Sequence, residues 1–256
     1  MENKELYKAR NTLVIKANDL IQKSRFDLSI NQQKIVLYLI SKIKPNDEDF
    51  TLYEFSIKEF CQVCGIANDS GNNYARLKEA IKEIADKSIW VALDDGKHTL
   101  LRWIEKPYID ENSGTIRIRL DKDMKPYLLQ LKDNFTKYEL CWTLLFKSKY
   151  STRLYELVKS IHFNEQQAYE RTYELAEFRG LLGAENYTLW AQFKRRVLEP
   201  AIEDINKYSD KQVSYEPIVY GKVVGRIKLI ISTKSTLDKM LLKHSNDEAL
   251  GGYQEG

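Results

Sequence analysis

A regular spacing of apolar residues predicts a long helix over residues 187–208. The apolar side chains recur at steps of three and four, which puts them on one helical face: Trp190, Phe193, Val197, Ala201, Ile205 and Tyr208, with Leu198 and Ile202 beside them. Pro200 lacks a backbone N–H and its ring crowds the carbonyl of Arg196, so we expect a kink or restart there. The pattern predicts a helix that packs on a core. The short part before Pro200 should have its own axis direction.

The other face of that first part is basic. Residues 187–198 contain no carboxylate, and the outward positions carry Thr188, Gln192, Lys194, Arg195 and Arg196. A helix with one apolar face and one face of cations and amides suits a DNA groove. A solvated helix face is the ordinary alternative for such a charge run, and the flanking elements have to decide between the two.

The flanking segments predict a helix-turn-helix followed by a β-hairpin. Upstream, residues 173–183 have the pattern of a strand end, a short helix and a glycine stop. Downstream, residues 212–220 and 226–232 have the composition of strands and flank a glycine-rich turn at 221–225. A helix-turn-helix with such a hairpin is a winged helix.

The first half of the chain shows the same order of elements. Residues 29–32 resemble a capping box and open a helix predicted over about residues 31–44. The further predicted elements are a strand at 51–57, a short helix at 58–64, a helix at 74–87, a hairpin at 88–104 and a strand at 114–120. Residues 1–12 are polar and expected to fray.

Part of the order is repeated in sequence as well. When the sequence is aligned with itself at an offset of 118 residues, Glu59 matches Glu177 and Gly65 matches Gly183 (177 − 59 and 183 − 65). Two tandem winged-helix domains in an α+β fold are the simplest account, with convergent patterning of short units as the alternative. We therefore predict a first domain over residues 1–131, a second over 132–235 and a largely disordered segment over 236–256.

Several runs resemble the iteron-binding plasmid replication initiators. They are FKRRVLEPA at 193–201, Ile205-Asn206, YEPI at 215–218 and LFKSKYSTRLYEL at 145–157, and the resemblance covers residues 10–233. It implies a protein without catalytic centre or cofactor that binds double-stranded DNA at the direct repeats of an origin. Monomers would help to open the origin and recruit the host initiator and helicase. Homodimers, in equilibrium with the monomers, would repress the protein's own promoter.

The charge pattern and the resemblance together give a set of DNA-binding residues. Gln192 and Arg195 are expected to contact base edges, because Gln pairs with adenine and Arg with guanine. Phosphate contacts are expected from Thr188, Lys194, Arg196, the wing residues Lys222 and Arg226, and Lys149 and Arg153 of the helix at 147–161. The helix at 74–87 mixes lysine with glutamate and is expected to give backbone contacts at most, from Asn73, Arg76 and Lys82.

The resemblance also implies that the first domain dimerises through its sheet. The strands at 88–93 and 114–120 are the candidates for that edge. Trp90 and Trp103 would supply its apolar content, with burial inside the monomer as the alternative for both.

Composition restricts how the chain can bind DNA and where in the cell it is expected. The net charge of the 256 residues is only +3, so nucleic-acid binding has to come from local clusters of cations. No apolar run approaches the roughly 20 residues that cross a membrane, and no signal peptide is visible. A cytoplasmic protein is therefore the expectation, and the resemblance implies that it is bacterial and associated with the nucleoid or a plasmid.

Enzymatic motifs are missing from the sequence. There is no phosphate-binding Gly-x-x-x-x-Gly-Lys-Ser/Thr loop, and the three histidines stand apart without the paired spacing of a metal site. A rolling-circle nicking enzyme is therefore disfavoured, whereas a transcriptional repressor or a pure protein-interaction module stays open. Cys61 and Cys64 have the spacing of half a zinc site or a redox pair, but they are expected to be buried small apolar residues, and no metal site is predicted.

Overall fold

The computed structural model describes residues 3–66, 72–164 and 167–251, without the side chains of Asn72 and Asn73. In the first half the helices are α1 (Asn3–Arg10), α2 (Asn18–Lys23), α3 (Ile30–Ile40), α4 (Ile57–Cys64), α5 (Asn72–Asp86) and α6 (Lys125–Leu128). The strands are β1 (Leu13–Ala17), β2 (Ser24–Arg25), β3 (Tyr53–Ser56), β4 (Ser88–Ala92), β5 (His98–Arg102), β6 (Tyr108–Asp110) and β7 (Thr115–Ile118).

The second half follows a short 3-10 turn at Lys122–Met124 and α6. Its strands are β8 (Phe135–Glu139), β9 (Tyr169–Glu174), β10 (Lys211–Tyr220) and β11 (Val223–Thr233). Its helices are α7 (Cys141–Leu144), α8 (Lys149–Ile161), α9 (Leu175–Leu182), α10 (Trp190–Phe193), α11 (Glu199–Tyr208) and α12 (Thr236–Ala249), with a π-helical turn at Lys194–Leu198 between α10 and α11.

The helices α4 and α9 are two copies of one unit. Each has eight residues and ends at a glycine in the left-handed conformation, Gly65 with φ 62° and Gly183 with φ 66°. The N–H of each glycine donates to carbonyls of the last helical turn, a termination for which glycine is favoured because it has no β-carbon. The predicted offset of 118 residues is thereby confirmed at the level of structure.

The two copies differ in their sheets. In the second half β9, β11 and β10 form one antiparallel sheet, so the hairpin β10–β11 pairs directly with the strand before α9. In the first half β3 pairs instead with β7, and the hairpin β4–β5 forms a separate sheet with β2. The extra hairpin β6–β7 thus takes the pairing position that the wing occupies in the second copy.

A two-stranded antiparallel ribbon connects the halves. It pairs β1 with β8, in the register Val14 with Tyr138 and Lys16 with Thr136. Beneath it, Glu156 of α8 accepts hydrogen bonds from Lys16 Nζ at 2.6 Å and from the Tyr138 hydroxyl at 2.5 Å. Burial lowers the pKa of Lys16, and the neighbouring Glu156 carboxylate offsets part of that effect. All three side chains are buried, so α8 is a core helix for both halves.

Both ends of the described chain are more ordered than their composition suggests. The prediction of a frayed N-terminus is wrong for α1, because Arg10 is buried and donates to the carbonyls of Val63 and Leu250. The prediction of disorder over residues 236–256 is wrong for α12, which Ser235 caps and whose Asn246 donates to the Tyr208 carbonyl. Long-range contacts, which local composition does not encode, order both segments.

No helix in the described part of the chain is long and apolar enough to cross a membrane.

Candidate nucleic-acid interface

Aromatic side chains hold α10 between α9 and the wing. The ring of Phe193 lies 6.1 Å from that of Phe178 in α9, with both side chains fully buried. Trp190 lies 6.2 Å from Tyr215 of β10, in an edge-on arrangement. The buried stripe predicted for this helix is confirmed at Phe193, Val197, Leu198, Ala201, Ile202 and Ile205, while Trp190 and Tyr208 are half-buried. The outward face of the helix is therefore fixed in direction by its inward packing.

The helix widens by one residue just before Pro200. The N–H of Glu199 donates to the carbonyl of Lys194, five residues back, which is the π-helical pattern. The predicted restart is confirmed, because α11 begins at Glu199 with Pro200 in its first turn. Pro200 has no N–H for the carbonyl of Arg196, and the wide turn accommodates this loss without breaking the helical path. Single π turns are frequent at functional sites.

This wide turn carries three of the cations of the predicted surface. Arg195 and Arg196 are exposed, and neither has an ion-pair partner among the described residues. Lys194 is half-exposed and lies 3.5 Å from the Glu199 carboxylate. Gln192 and Thr188 are exposed on the preceding turns. Five of the predicted contacts thus lie on one continuous stretch, with two guanidinium groups open to solvent.

The wing is longer than predicted and its cations are less available. The turn consists of Gly221 and Lys222 only, since Tyr220 pairs with Val223. Gly221 has φ 63°, as the first position of a type II′ turn requires. Lys222 is exposed at the tip, but Arg226 lies 3.2 Å from the Glu174 carboxylate and stacks on the ring of Tyr220. Lys222 is therefore the more accessible cation of the two.

Lys228, on the same strand as Arg226, is also compensated. Its ammonium lies 2.6 Å from the Glu216 carboxylate and 3.6 Å from that of Glu170. The hydrogen bond to Glu216 raises its pKa, so the side chain stays charged but is already paired. The sheet behind the wing tip therefore carries charges of both signs, because carboxylates of the neighbouring strands β9 and β10 pair with the two cations of β11.

Arg153 was predicted to touch phosphates, and the structure contradicts that role. Its guanidinium is buried, donates to the carbonyls of Ser24 and Leu181, and lies 4.3 Å from the ring centre of Phe26. Burial lowers the pKa of Arg153 to about 10. The helical periodicity of α8 predicted an exposed position for this side chain, but it faces β2, Phe26 and α9. Lys149, one turn earlier, is half-exposed and pairs with Asp27 at 2.7 Å.

The first-domain residues lie on α5. Arg76 is exposed, and Lys82 is exposed with Asp86 at 3.3 Å and Glu79 at 3.9 Å. Asn73 is the second residue of the same helix, but its side chain lies outside the described part of the chain. The mixed charge predicted for this helix face is confirmed by the ion pairs of Lys82.

Sequence reasoning missed one cation next to the helix-turn-helix core. Arg179 is the only cation of α9, and its guanidinium lies 5.4 Å from the ring centre of Phe193. Its Nε is buried without a hydrogen-bond partner among the described residues, and desolvation lowers its pKa. The sequence could have indicated this residue, because Arg179 is on the predicted first helix of the helix-turn-helix, and that helix crosses the DNA backbone in such motifs.

The cysteines fit the apolar interpretation. Cys61, Cys64 and Cys141 are buried free thiols, and burial raises the pKa of Cys64 and of Cys141 to about 12. Within the described ranges no three histidine, cysteine or carboxylate side chains are grouped so that they could hold a metal ion.

The strand, short helix, second helix and hairpin of each half define a protein of tandem winged helices. Residues 13–159 match the family described as Initiator Replication protein, WH1, and residues 174–231 match Initiator Rep protein, WH2. These matches span more than half of the chain, so the protein belongs to the initiator replication protein family. The predicted family and the predicted tandem winged-helix fold are both confirmed.

Individual relatives agree with this assignment. A replication initiation protein of Escherichia coli is 29% identical over an alignment of 208 residues that covers 78% of this chain and 64% of that relative. The chain therefore matches a little under two thirds of the relative's length. The crystal structure of the Pi initiator protein in complex with iteron DNA superposes with a TM-score of 0.72 and 19% identity, covering 88% of this chain and 99% of that one. That likeness concerns the fold.

Proposed function

We propose that this protein initiates plasmid DNA replication by binding direct repeats at an origin through its second winged helix. Its family and its resemblance in fold to the Pi initiator, which was crystallised with iteron DNA, support the proposal. The observation that carries it is the pair of exposed guanidinium groups of Arg195 and Arg196, unpaired among the described residues, on a helix whose inward face is locked by Phe193.

In this proposal the helix formed by α10 and the π turn enters the major groove. Gln192 and Arg195 read base edges, because their amide and guanidinium groups pair bidentately with adenine and guanine. Thr188, Lys194 and Arg196 bind phosphates beside the groove, and Lys222 binds one at the wing tip. Lys194 contributes less than Arg196, since Glu199 already neutralises part of its charge. Arg179 adds a backbone contact from α9.

The first winged helix has a supporting role in this proposal. Arg76, Lys82 and Asn73 give weak phosphate contacts, and the sheet of β2, β4 and β5 forms a homodimer. The strands at 88–93 and 114–120, predicted as its edge, are β4 and β7, and each is paired on both sides, so β5 is the edge strand beside β4. On that sheet Trp90 and Leu100 are paired across the strands and are 52% and 51% exposed, an apolar patch of the kind that marks protein contacts. Trp103 is buried in the monomer and is not part of it.

We further propose that monomers open the origin and recruit the host initiator and helicase, that dimers repress the protein's own promoter, and that the protein acts in the bacterial cytoplasm without a catalytic centre. An experiment in cells separates an initiator from a simple repressor. A plasmid that carries the origin is placed in a host in which this protein is the only plasmid-encoded factor, and its maintenance is measured. A repressor would bind the same repeats but would not sustain the plasmid.

The DNA-binding proposal is tested by titration of the purified protein against two labelled duplexes, one with the direct repeats that flank its gene and one of random sequence. Each titration is done at two salt concentrations. We expect tight binding to the repeats and a fall in log K of about 0.9 per neutralised phosphate for each tenfold rise in salt. Equal affinity for both duplexes would reject repeat recognition, and salt-independent binding would reject the phosphate contacts.

A further inference from the structure

We propose that a groove beside β8 binds an extended, acidic segment of a partner protein, which adds to the β1–β8 ribbon as a third strand. The groove has a volume of about 640 Å³ and runs between β8, the end of α8 and α12. Its lining includes Phe135, Lys137, Glu139, Phe163, Lys239 and Met240. None of the residues proposed to bind DNA lines it.

The outer edge of β8 has unused backbone groups. The N–H of Asn18 donates to the Asn134 carbonyl and the N–H of Leu140 to the Thr12 carbonyl, which fixes the even-numbered residues of β8 as those bonded to β1. In an antiparallel pair the alternate residues point their N–H and C=O groups the other way. Phe135, Lys137 and Glu139 therefore direct theirs away from β1, and no described group pairs with them.

The groove follows this edge closely. All five residues of β8, from Phe135 to Glu139, line it together with Leu13 of β1, so the groove extends along the whole length of the strand. A helix has satisfied its own backbone groups and gains nothing from such an edge, whereas an extended segment forms main-chain hydrogen bonds to it. The occupant is thus a strand.

The side chains around the edge set its chemistry. Phe163 and Met240 are 75% and 66% exposed, so the groove offers apolar contacts from the segment after α8 and from α12. Among the described lining residues Lys159 lies 3.0 Å from Asp210, and Lys243 lies 2.5 Å from Glu139.

Lys137 and Lys239 line the groove without an ion-pair partner in the described ranges. The lining therefore has two more cations than carboxylates among the described side chains. The complementary occupant is a segment that alternates acidic and apolar residues, since successive strand side chains point to opposite faces.

A defined probe tests the inference on the full-length protein. The probe is an acetylated and amidated heptapeptide of alternating glutamate and valine, and a lysine-valine peptide of the same length is its matched control. We expect the acidic peptide to bind and to shift the amide resonances of Phe135, Lys137 and Glu139 in nuclear magnetic resonance spectra, with the lysine peptide inactive. N-methylation of the peptide amides that face β8 should abolish binding, since it removes the donors.

Two variants at Lys137 distinguish the contribution of its backbone N–H to peptide binding from that of its side-chain charge. Lys137→Pro removes an outward N–H without touching the β1 pairing, as an edge strand tolerates, and should weaken the peptide about tenfold. Lys137→Ala keeps the N–H and should weaken it less. Should the proline variant not fold, the N-methylated peptide still decides the question with the unaltered protein.

Several results would overturn the inference. One is hydrogen exchange in the free protein that protects the amides of Phe135, Lys137 and Glu139 as strongly as those of Thr136 and Tyr138, because the edge would then be covered. Unchanged binding of the N-methylated peptide, or stronger binding of a helical acidic peptide, would exclude an added strand.

Loss of duplex DNA binding in Lys239→Glu would assign the groove to DNA. Self-association that Lys137→Pro removes would assign it to a second copy of the chain.

Discussion

The Arg10 guanidinium donates to the Asp247 carboxylate at 2.6 Å, a hydrogen bond that joins residues 237 positions apart in the chain. The same guanidinium donates to the carbonyls of Gln62, Val63 and Leu250. Arg10 is 1% exposed, so its charge depends entirely on these partners. Three segments that are distant in sequence therefore meet at one side chain, namely α1, the end of α4, and the end of α12 with the residue that follows it.

Arg10→Ala should lower the free energy of unfolding by about 3–5 kcal/mol, since removal of one member of a buried ion pair leaves the other uncompensated. Urea unfolding monitored by circular dichroism measures the change. Lys8→Ala, which alters an exposed residue of the same helix, is the matched control and should be nearly neutral. Equal stability of the two variants would show that the contact contributes nothing.

Arg195→Ala should reduce affinity for the direct repeats by about 1–3 kcal/mol and affinity for random DNA by less, because a bidentate contact to a base is lost. Lys222→Ala should weaken both duplexes alike and lower the salt slope by about 0.9, as the loss of one phosphate contact predicts. Fluorescence anisotropy on both duplexes measures these effects. An equal loss on both duplexes for Arg195→Ala would exclude base reading by that residue.

Arg153→Met should destabilise the fold by about 1–3 kcal/mol, because the carbonyls of Ser24 and Leu181 lose a buried donor. The salt slope of DNA binding should stay unchanged, since the buried guanidinium cannot reach a phosphate. Lys149→Ala is the comparison at a half-exposed position of the same helix. A shallower salt slope in the Arg153 variant, with normal stability, would restore the role predicted from sequence.

The thiols should resist modification in the folded protein. Burial raises the pKa of Cys64 to about 12, which shifts thiolate formation to higher pH and leaves about one thiolate in ten thousand at pH 8. Ellman's reagent at pH 8 should label no cysteine quickly in the native protein and all three in urea. A chelator should not change either rate. Rapid native labelling of two thiols would revive the redox interpretation of Cys61 and Cys64.

Local pattern was sufficient for much of the fold. The glycine stops at Gly65 and Gly183, the capping box formed by Ser29 and Gln32, and the apolar stripe around Phe193 all depend on interactions within a few residues, and the structure contains each of them. The outward position of Arg195 follows from the same periodicity.

Long-range contacts account for the errors. Polar residues 3–10 were expected to fray because nothing nearby reveals that Arg10 meets Asp247. Arg153 was placed on a solvent rim because helical periodicity does not show which neighbour covers a given face. The pairing of Arg226 with Glu174 depends on the register of β9 and β11, which the sequence does not fix.

The position of Leu250 has a consequence for how the protein is made. A β-carbon at Gly65 would collide with Leu250, and Arg10 donates to the Leu250 carbonyl, so this late segment covers the end of α4. The ribosome synthesises Leu250 only after both winged helices. The surface around Gly65 and Arg10 is therefore open on the nascent chain throughout translation of the second domain, and the first domain reaches its final stability only when α12 folds back onto it.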